Sequence, residues 1–453
     1  MQQGNPTSLR VPDPGIEALF EQDARWQAWL DVEAALAKAE AELGMIPAVA
    51  AEEIVKKCDL SLFDRERLIE GFTRTAHTLV PLIWELSRIC DGDAGNYVHW
   101  GATTQNITQT GDLLQLRKAH RVYLRQLAQI FGALADLADK SKDMALPGRT
   151  HGQHAVPATY GLKVAIWIDE FARHAERLRE CEPRVFQALL GGAAGTVASF
   201  GDEGLKVQAQ MASHLNMPAM PVPARSIMDH LAEHIMILAL LASTCGKFGY
   251  EIYTGMKQEF GEVEEPISPG TVGSSTMPQK RNPHLSQDVM AYAAQIRTMV
   301  PLTLETIMTE HEANRQTSLM MRYAQGQVCT LMGDTLERVR ILAEGIVLKP
   351  ERMRANLDLT DGLIMAEPMM LALGEHVGRQ DAHDIVYDAA QEAAVGDKTF
   401  NALLSADERV TGHLSKAQIE ELLDPTAYTG LCANMALEQA TRARKLAAEL
   451  SEK

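Results

Sequence analysis

Aromatic residues are scarce in this chain of 453 residues: Phe, Trp and Tyr together make up 5%. With Ala and Leu abundant, that balance suits helices packed closely on helices, where small residues let them approach. The six cysteines (Cys58, Cys90, Cys181, Cys245, Cys329, Cys432) form no CxxC pair and no closely spaced ladder. That excludes a disulfide scaffold and predicts reduced thiols. Basic charge is also in deficit, 43 Lys and Arg against 60 Asp and Glu, for a net of -17. A mean field of that sign attracts neither a nucleic-acid backbone nor an anionic membrane, although it leaves room for a small anion in one pocket. The longest apolar run, residues 235–242, is too short to span a bilayer, and the polar start MQQGNPTSLRVPDP has no apolar h-region. The expectation is a cytoplasmic protein without a nucleic-acid or membrane partner.

What is present is a globular composition, 46% hydrophobic and 23% charged, on a chain long enough for about three domains. Trp29, Val32 and Leu36 are spaced for an amphipathic helix, and Leu231, Ile235 and Leu238 for a buried one. Residues 112–144, 159–190, 227–257 and 283–308 each run long with few internal breakers, which predicts the long helices of a bundle. No stretch alternates long enough to propose a real sheet. The fold class expected is all-α: an N-terminal helical domain over 1–105, a central long-helix bundle over 106–350 and a small C-terminal helical domain over 351–453.

Three polar, Gly- and Pro-bearing breaks interrupt this pattern, at 96–106, 147–157 and 266–283. The last carries Pro266, Pro269, Pro278 and Pro283 with Gly270 and Gly273, and a loop so long inside a helical protein is usually functional. Its centre reads Gly273-Ser274-Ser275-Thr276-Met277-Pro278-Gln279-Lys280-Arg281-Asn282-Pro283. Hydroxyls, a cation and an amide on a glycine hinge can grip a carboxylate and carry a base.

This string resembles the signature loop GSSxMPxKxNP of the fumarase/aspartase superfamily. Val98-His99-Trp100-Gly101-Ala102-Thr103-Thr104-Gln105-Asn106 and Gly148-Arg149-Thr150-His151-Gly152-Gln153-His154 are similar to its other two conserved regions. The resemblance covers nearly the whole chain. Gly261-Glu262-Val263-Glu264-Glu265-Pro266, the segment 356–363 and Gly378-Arg379-Gln380-Asp381-Ala382-His383 are nearest the 3-carboxy-cis,cis-muconate cycloisomerase branch, with adenylosuccinate lyases next.

The resemblance implies a cofactor-independent, metal-free homotetramer with a central helical bundle, each site assembled from the three regions of three subunits. Its reaction removes a proton α to a carboxylate of a small polycarboxylate and cleaves a C–O or C–N bond at the β carbon, or runs in reverse. By carry-over, Ser274 is the general base and His151 the general acid. Thr103, Thr104, Thr150, Lys280 and Asn282 bind substrate carboxylates, with His77 a further site candidate. Asn106, Gln287 and Ala313 depart from an Asp, a Glu and an Arg common among relatives, so that Arg315 is the candidate replacement cation. The missing Glu favours the cycloisomerase branch over a fumarate-releasing C–N lyase. A catalytically silent scaffold of the lens-crystallin kind is the alternative of another class, and the intact Ser274, Lys280, Asn282 and His151 argue against it.

Two further patterns have simpler readings. His230-Leu231-Ala232-Glu233-His234 fits the HxxEH spacing of a zinc-peptidase class, but packing within a bundle explains that helix. Leu190-Gly191-Gly192-Ala193-Ala194-Gly195 lacks the spacing of a nucleotide cradle and reads as a tight junction between helices.

Overall fold

The computed structural model describes residues 5–451. Its principal elements are α1 (Gln22–Glu42), α2 (Val80–Ile89), α3 (Thr104–Ser141), β1 (Ala145–Thr150), β2 (Gln153–Thr159), α4 (Tyr160–Val185), α5 (Asp229–Gly255), β3 (Val263–Glu264), α6 (His284–Glu305), α7 (Arg315–Gly345), β4 (Val347–Leu348) and α8 (Pro350–Leu357). Five further helices and a final one, Cys432–Ser451, follow. The chain is mainly helical, as its composition implies.

Two compact units emerge. Among the described residues the first comprises 5–126, 174–243 and 291–337; the second comprises 127–173, 244–290 and 338–451. In the first, α1 is buried around most of its circumference rather than on one face: Trp26, Ala28, Trp29, Leu30, Val32, Ala35, Leu36, Ala37 and Ala39 all lie in the core. The alanines on its second face carry too little hydrophobicity to register as periodicity, yet they admit neighbouring helices. Trp29 packs where Gly111 of α3 has no side chain, since a Cβ there would lie 2.5 Å from the indole.

The expected buried helix is α5. By length and composition it could cross a membrane, but just over half of its most apolar window is buried, and Leu231, Ile235, Leu238 and Leu241 are core residues. Its His230 and His234 turn inward. His234 Nε2 lies 3.2 Å from His120 Nδ1, and His120 Nε2 lies 3.3 Å from Glu182. Among the described residues no group of three or more His, Cys, Asp or Glu could hold a metal ion.

The second unit departs from expectation by containing antiparallel pairs. β1 and β2 form a hairpin that spans the second polar break, and β3 pairs with β4. Pro147 faces Pro157 in the first ladder, which a two-stranded ribbon tolerates because no third strand needs their missing N–H groups. The C-terminal helices bury Met369, Leu373, Ile385, Phe400, Leu404, Val410 and Ile419 in a cluster of their own. All six cysteines are free.

Candidate active site

The first polar break lies in the first unit. His99 (φ 61°) and Gly101 (φ 67°) both take left-handed backbone, and a Cβ on Gly101 would meet the Phe200 ring at 2.6 Å. Ser199 Oγ donates to the Gly101 carbonyl at 2.6 Å. Asn106, fully buried, accepts through Oδ1 from the Thr103 N–H and the Gly192 N–H, both at 3.1 Å. One neutral amide oxygen therefore supplies the acceptor that an aspartate would have offered, and it fixes the segment that presents the half-buried Thr103 and Thr104. The glycine-rich stretch is the tight junction expected: a Cβ on Gly191 would sit 1.9 Å from the Pro223 carbonyl.

Sequence reasoning assigned no role to the partner of His99. Its Nδ1 lies 2.6 Å from Oε1 of Glu33, a carboxylate 1% exposed on α1. Burial opposes the imidazolium, but the charge and hydrogen bond of Glu33 outweigh it and raise the His99 pKa above the ordinary value. Glu40, also on α1, is pushed up to about 9, first by burial and then by Glu33. It is thus a neutral acid, leaving Glu33 to pair with His99.

His77 sits in the turn ahead of α2. Its Nδ1 accepts from the N–H groups of Leu79 (3.2 Å) and Val80 (3.1 Å), so the neutral ring carries its proton on Nε2. That contact starts a helix and leaves Nε2 available as a donor. Arg315 is the first residue of α7 and is exposed, after Asn314 has capped the helix by accepting from Gln316 N at 2.7 Å. A cation at the positive end of a helix dipole does nothing for that helix.

In the second unit, His151 (φ 53°) and Gly152 (φ 76°) are the two central residues of the β1–β2 turn. Left-handed backbone at both positions is the turn geometry that matches the twist of a hairpin. The candidate acid is thereby held at an exposed tip, with Thr150 exposed beside it. Next to them, the Arg149 guanidinium makes two hydrogen bonds, of 2.7 and 3.1 Å, to the buried carboxylate of Glu262. His154, whose Cα opposes that of Arg149, has its pKa lowered by burial and then by the arginine charge.

The third polar break is a loop from β3 to α6. Ser274 Oγ accepts from the backbone N–H groups of Thr276 (3.3 Å) and Met277 (3.0 Å). Gly273 lies so close to the Lys280 carbonyl that a Cβ would approach it to 2.1 Å, and Asn282 Nδ2 donates to the Gly273 carbonyl. The loop therefore folds back on itself with Ser274 at one limb and Lys280 and Asn282 on the other. Lys280 is exposed and Ser274 half-buried. Gln287 lies exposed in the first turn of α6, and His151 has no carboxylate partner among the described residues. Two N–H donors on one hydroxyl oxygen favour its anionic form, which is the requirement for a serine that removes a carbon-bound proton.

The family described as Lyase matches residues 8–298, and the family described as Adenylosuccinate lyase C-terminus matches residues 362–438. The N-acetyl-S-(2-succino)cysteine lyase of Enterococcus italicus is 38% identical over 419 residues, 92% of this chain and 92% of that protein. The 3-carboxy-cis,cis-muconate cycloisomerase of Pseudomonas aeruginosa is 37% identical over 422 residues, 92% of this chain and 91% of its own. A crystal structure of fumarate lyase from Mesorhizobium sp. BNC1 superposes with a TM-score of 0.89 at 34% identity, covering 95% of this chain and 98% of that one.

Proposed function

Because the chain belongs to the fumarase/aspartase superfamily of lyases, we propose that it catalyses a cofactor-independent β-elimination, or its reverse, on a small polycarboxylate with a weakly basic leaving group. The observation that carries this reading is the turn in which two main-chain N–H groups converge on Ser274 Oγ. As an alkoxide, Ser274 takes the proton α to a carboxylate. The electron pair passes into that carboxylate, which Lys280, Asn282, Thr103, Thr104, Thr150 and Arg315 hold as its charge grows. The pair then returns to form the C=C bond as the β substituent departs, protonated by His151 where its basicity demands it. His77 Nε2–H is a further donor to substrate.

The leaving group follows from what His151 lacks. With the neutral amide of Gln287 where relatives carry a Glu, no carboxylate at that position supports an imidazolium, and the site suits groups that depart as stable anions. The internal carboxylate of a lactone meets that condition best, giving a 3-carboxy-cis,cis-muconate cycloisomerase-like activity. A thiolate comes second, and the 38% identity to a succinocysteine lyase favours it as the alternative. An amine is the poorest fit, so a lyase of adenylosuccinate or of an N-substituted aspartate ranks last.

The assembly proposed with this chemistry is a cytoplasmic homotetramer of three-domain chains. The exposure of His151, Lys280 and Arg315 in one chain supports it, as does that of Leu240, Tyr250, Leu319 and Tyr323 on the long helices.

An ultraviolet assay tests the reading with 3-carboxy-cis,cis-muconate, S-succinylated cysteine, adenylosuccinate and N-substituted aspartates. Loss of the muconate chromophore that disappears in Ser274→Ala is the expected result, with kcat down about 10²–10⁴-fold. Serine-dependent fumarate release from the thioether alone replaces the first reading with the second. Turnover of the amine substrates alone refutes both, and a wild-type protein inert toward the whole panel supports a scaffold.

A further inference from the structure

The segment Gly261-Glu262-Val263-Glu264-Glu265-Pro266 joins α5 to the Ser274 loop, and each of its three carboxylates holds a different element of the second unit. Glu264 pairs with Arg281 of the loop at 3.2 Å and with Lys349 at 2.5 Å. Glu265 accepts from the N–H groups of Leu285 (3.0 Å) and Ser286 (2.6 Å), closing the first turn of α6. Glu262 faces the hairpin. Besides both bonds from Arg149, its Oε1 accepts from Asn356 Nδ2 at 2.8 Å. The Arg149 guanidinium also lies over the Phe260 ring, 4.9 Å from its centre. The backbone there is fixed in turn, with the Phe260 carbonyl accepting from Arg352 and Asn356 and the Glu262 carbonyl from Lys349 N.

This pair is more specific than a brace requires. The Arg149 and Glu262 side chains are 17% and 6% exposed, and apolar packing would join two segments there at lower desolvation cost. A planar two-pronged bond instead fixes orientation as well as distance. Arg149 is two residues from His151 at the hairpin tip, and Glu262 is the residue before β3, from which the Ser274 loop departs.

We propose that Glu262 is a positioning residue: through Arg149 it sets the hairpin tip that carries His151, and through β3 it sets the root of the loop that carries Ser274. The two segments of one chain then hold their geometry together. Misplacement of a reacting group by about 1 Å can cost on the order of 10²-fold in rate. The kinetic half of this proposal rests on the roles given above to Ser274 and His151; the structural half does not.

Glu262→Gln keeps the shape and the Asn356 bond but removes the charge that Arg149 meets. Arg149→Lys keeps the charge but loses the fork, and serves if the first variant folds poorly. Hydrogen exchange is measured on the unliganded full-length protein. The expected result is at least tenfold faster exchange in both 150–153 and 267–281, whereas Glu264→Gln loosens the loop alone. Faster exchange in only one of those segments, or in neither, in both Glu262→Gln and Arg149→Lys overturns the coupling. With an active substrate, kcat falls about 10²-fold with little change in KM, and Glu262→Asp recovers part of the loss. A kcat and pH profile equal to wild type, with only the melting midpoint lowered, reduces the pair to a brace and refutes positioning. If the wild type is inert toward every substrate, the proposed function has failed, and exchange alone decides whether Glu262 ties the segments.

Discussion

Glu33 and Glu40 occupy the same buried helix, yet one is charged against His99 and the other holds its proton up to a pKa of about 9. A folded pKa above the unfolded one means that the native state binds the extra proton between about pH 4.5 and 9. The stability Glu40 contributes is therefore complete below pH 4.5 and is lost as pH rises through 9. Glu40→Met, similar in volume and without a proton to manage, raises the melting midpoint at pH 8 by about 2 °C or more. That advantage disappears near pH 4.5; a pH-independent difference between the two melting curves would refute the assignment. Ser274, His151, Thr103, Thr104, Thr150, Lys280 and Asn282 could be named as candidates from the sequence because each sits in a contiguous string that resembles a family motif. The Glu33–His99 pair could not, since no rule of spacing joins residues 33 and 99, and the protonation of Glu40 depends first on what covers it and then on Glu33. The donors to Ser274 belong to the main chain and have no residue signature.

Helices with strong apolar periodicity were readable to within a few residues at most ends, with α3 starting eight residues earlier than the pattern suggested, at Thr104. The 31-residue α7 is not among the long helices expected; Gly326 and Gly333 stand inside it, and internal glycines weaken a helical pattern. In the folded unit a Cβ on Gly333 would lie 2.4 Å from Ile16 Cδ1, so that glycine marks a close packing site inside a helix. The β1–β2 hairpin was hidden for the corresponding reason, its prolines and glycine signalling only a break. Gly273 is where the loop itself becomes testable. Adding one methyl drives a Cβ into the Lys280 carbonyl, so Gly273→Ala must part the two limbs. The expected outcome is a kcat/KM at least about tenfold lower with a midpoint within about 1 °C of wild type. A fully active Gly273→Ala would show that the limbs need not touch.

For the whole molecule, net charge and composition argue against classes of partner more than they identify a substrate, because selectivity depends on a few groups in one pocket. If Ser274 and His151 of any one site come from different chains, two inactive proteins can repair each other. Ser274→Ala and His151→Ala proteins, mixed, unfolded and refolded together at equal amounts, then regain activity at roughly a quarter of their sites. Recovery indistinguishable from zero would place both residues of a site on one subunit. The Ser274 turn has a consequence on a longer timescale. Its oxygen is engaged by peptide N–H groups that every amino acid except proline supplies, so substitutions around the pocket can exchange one leaving group for another without disturbing the proposed base. Lineages built on this loop are free to diversify in substrate while inheriting their proton chemistry intact.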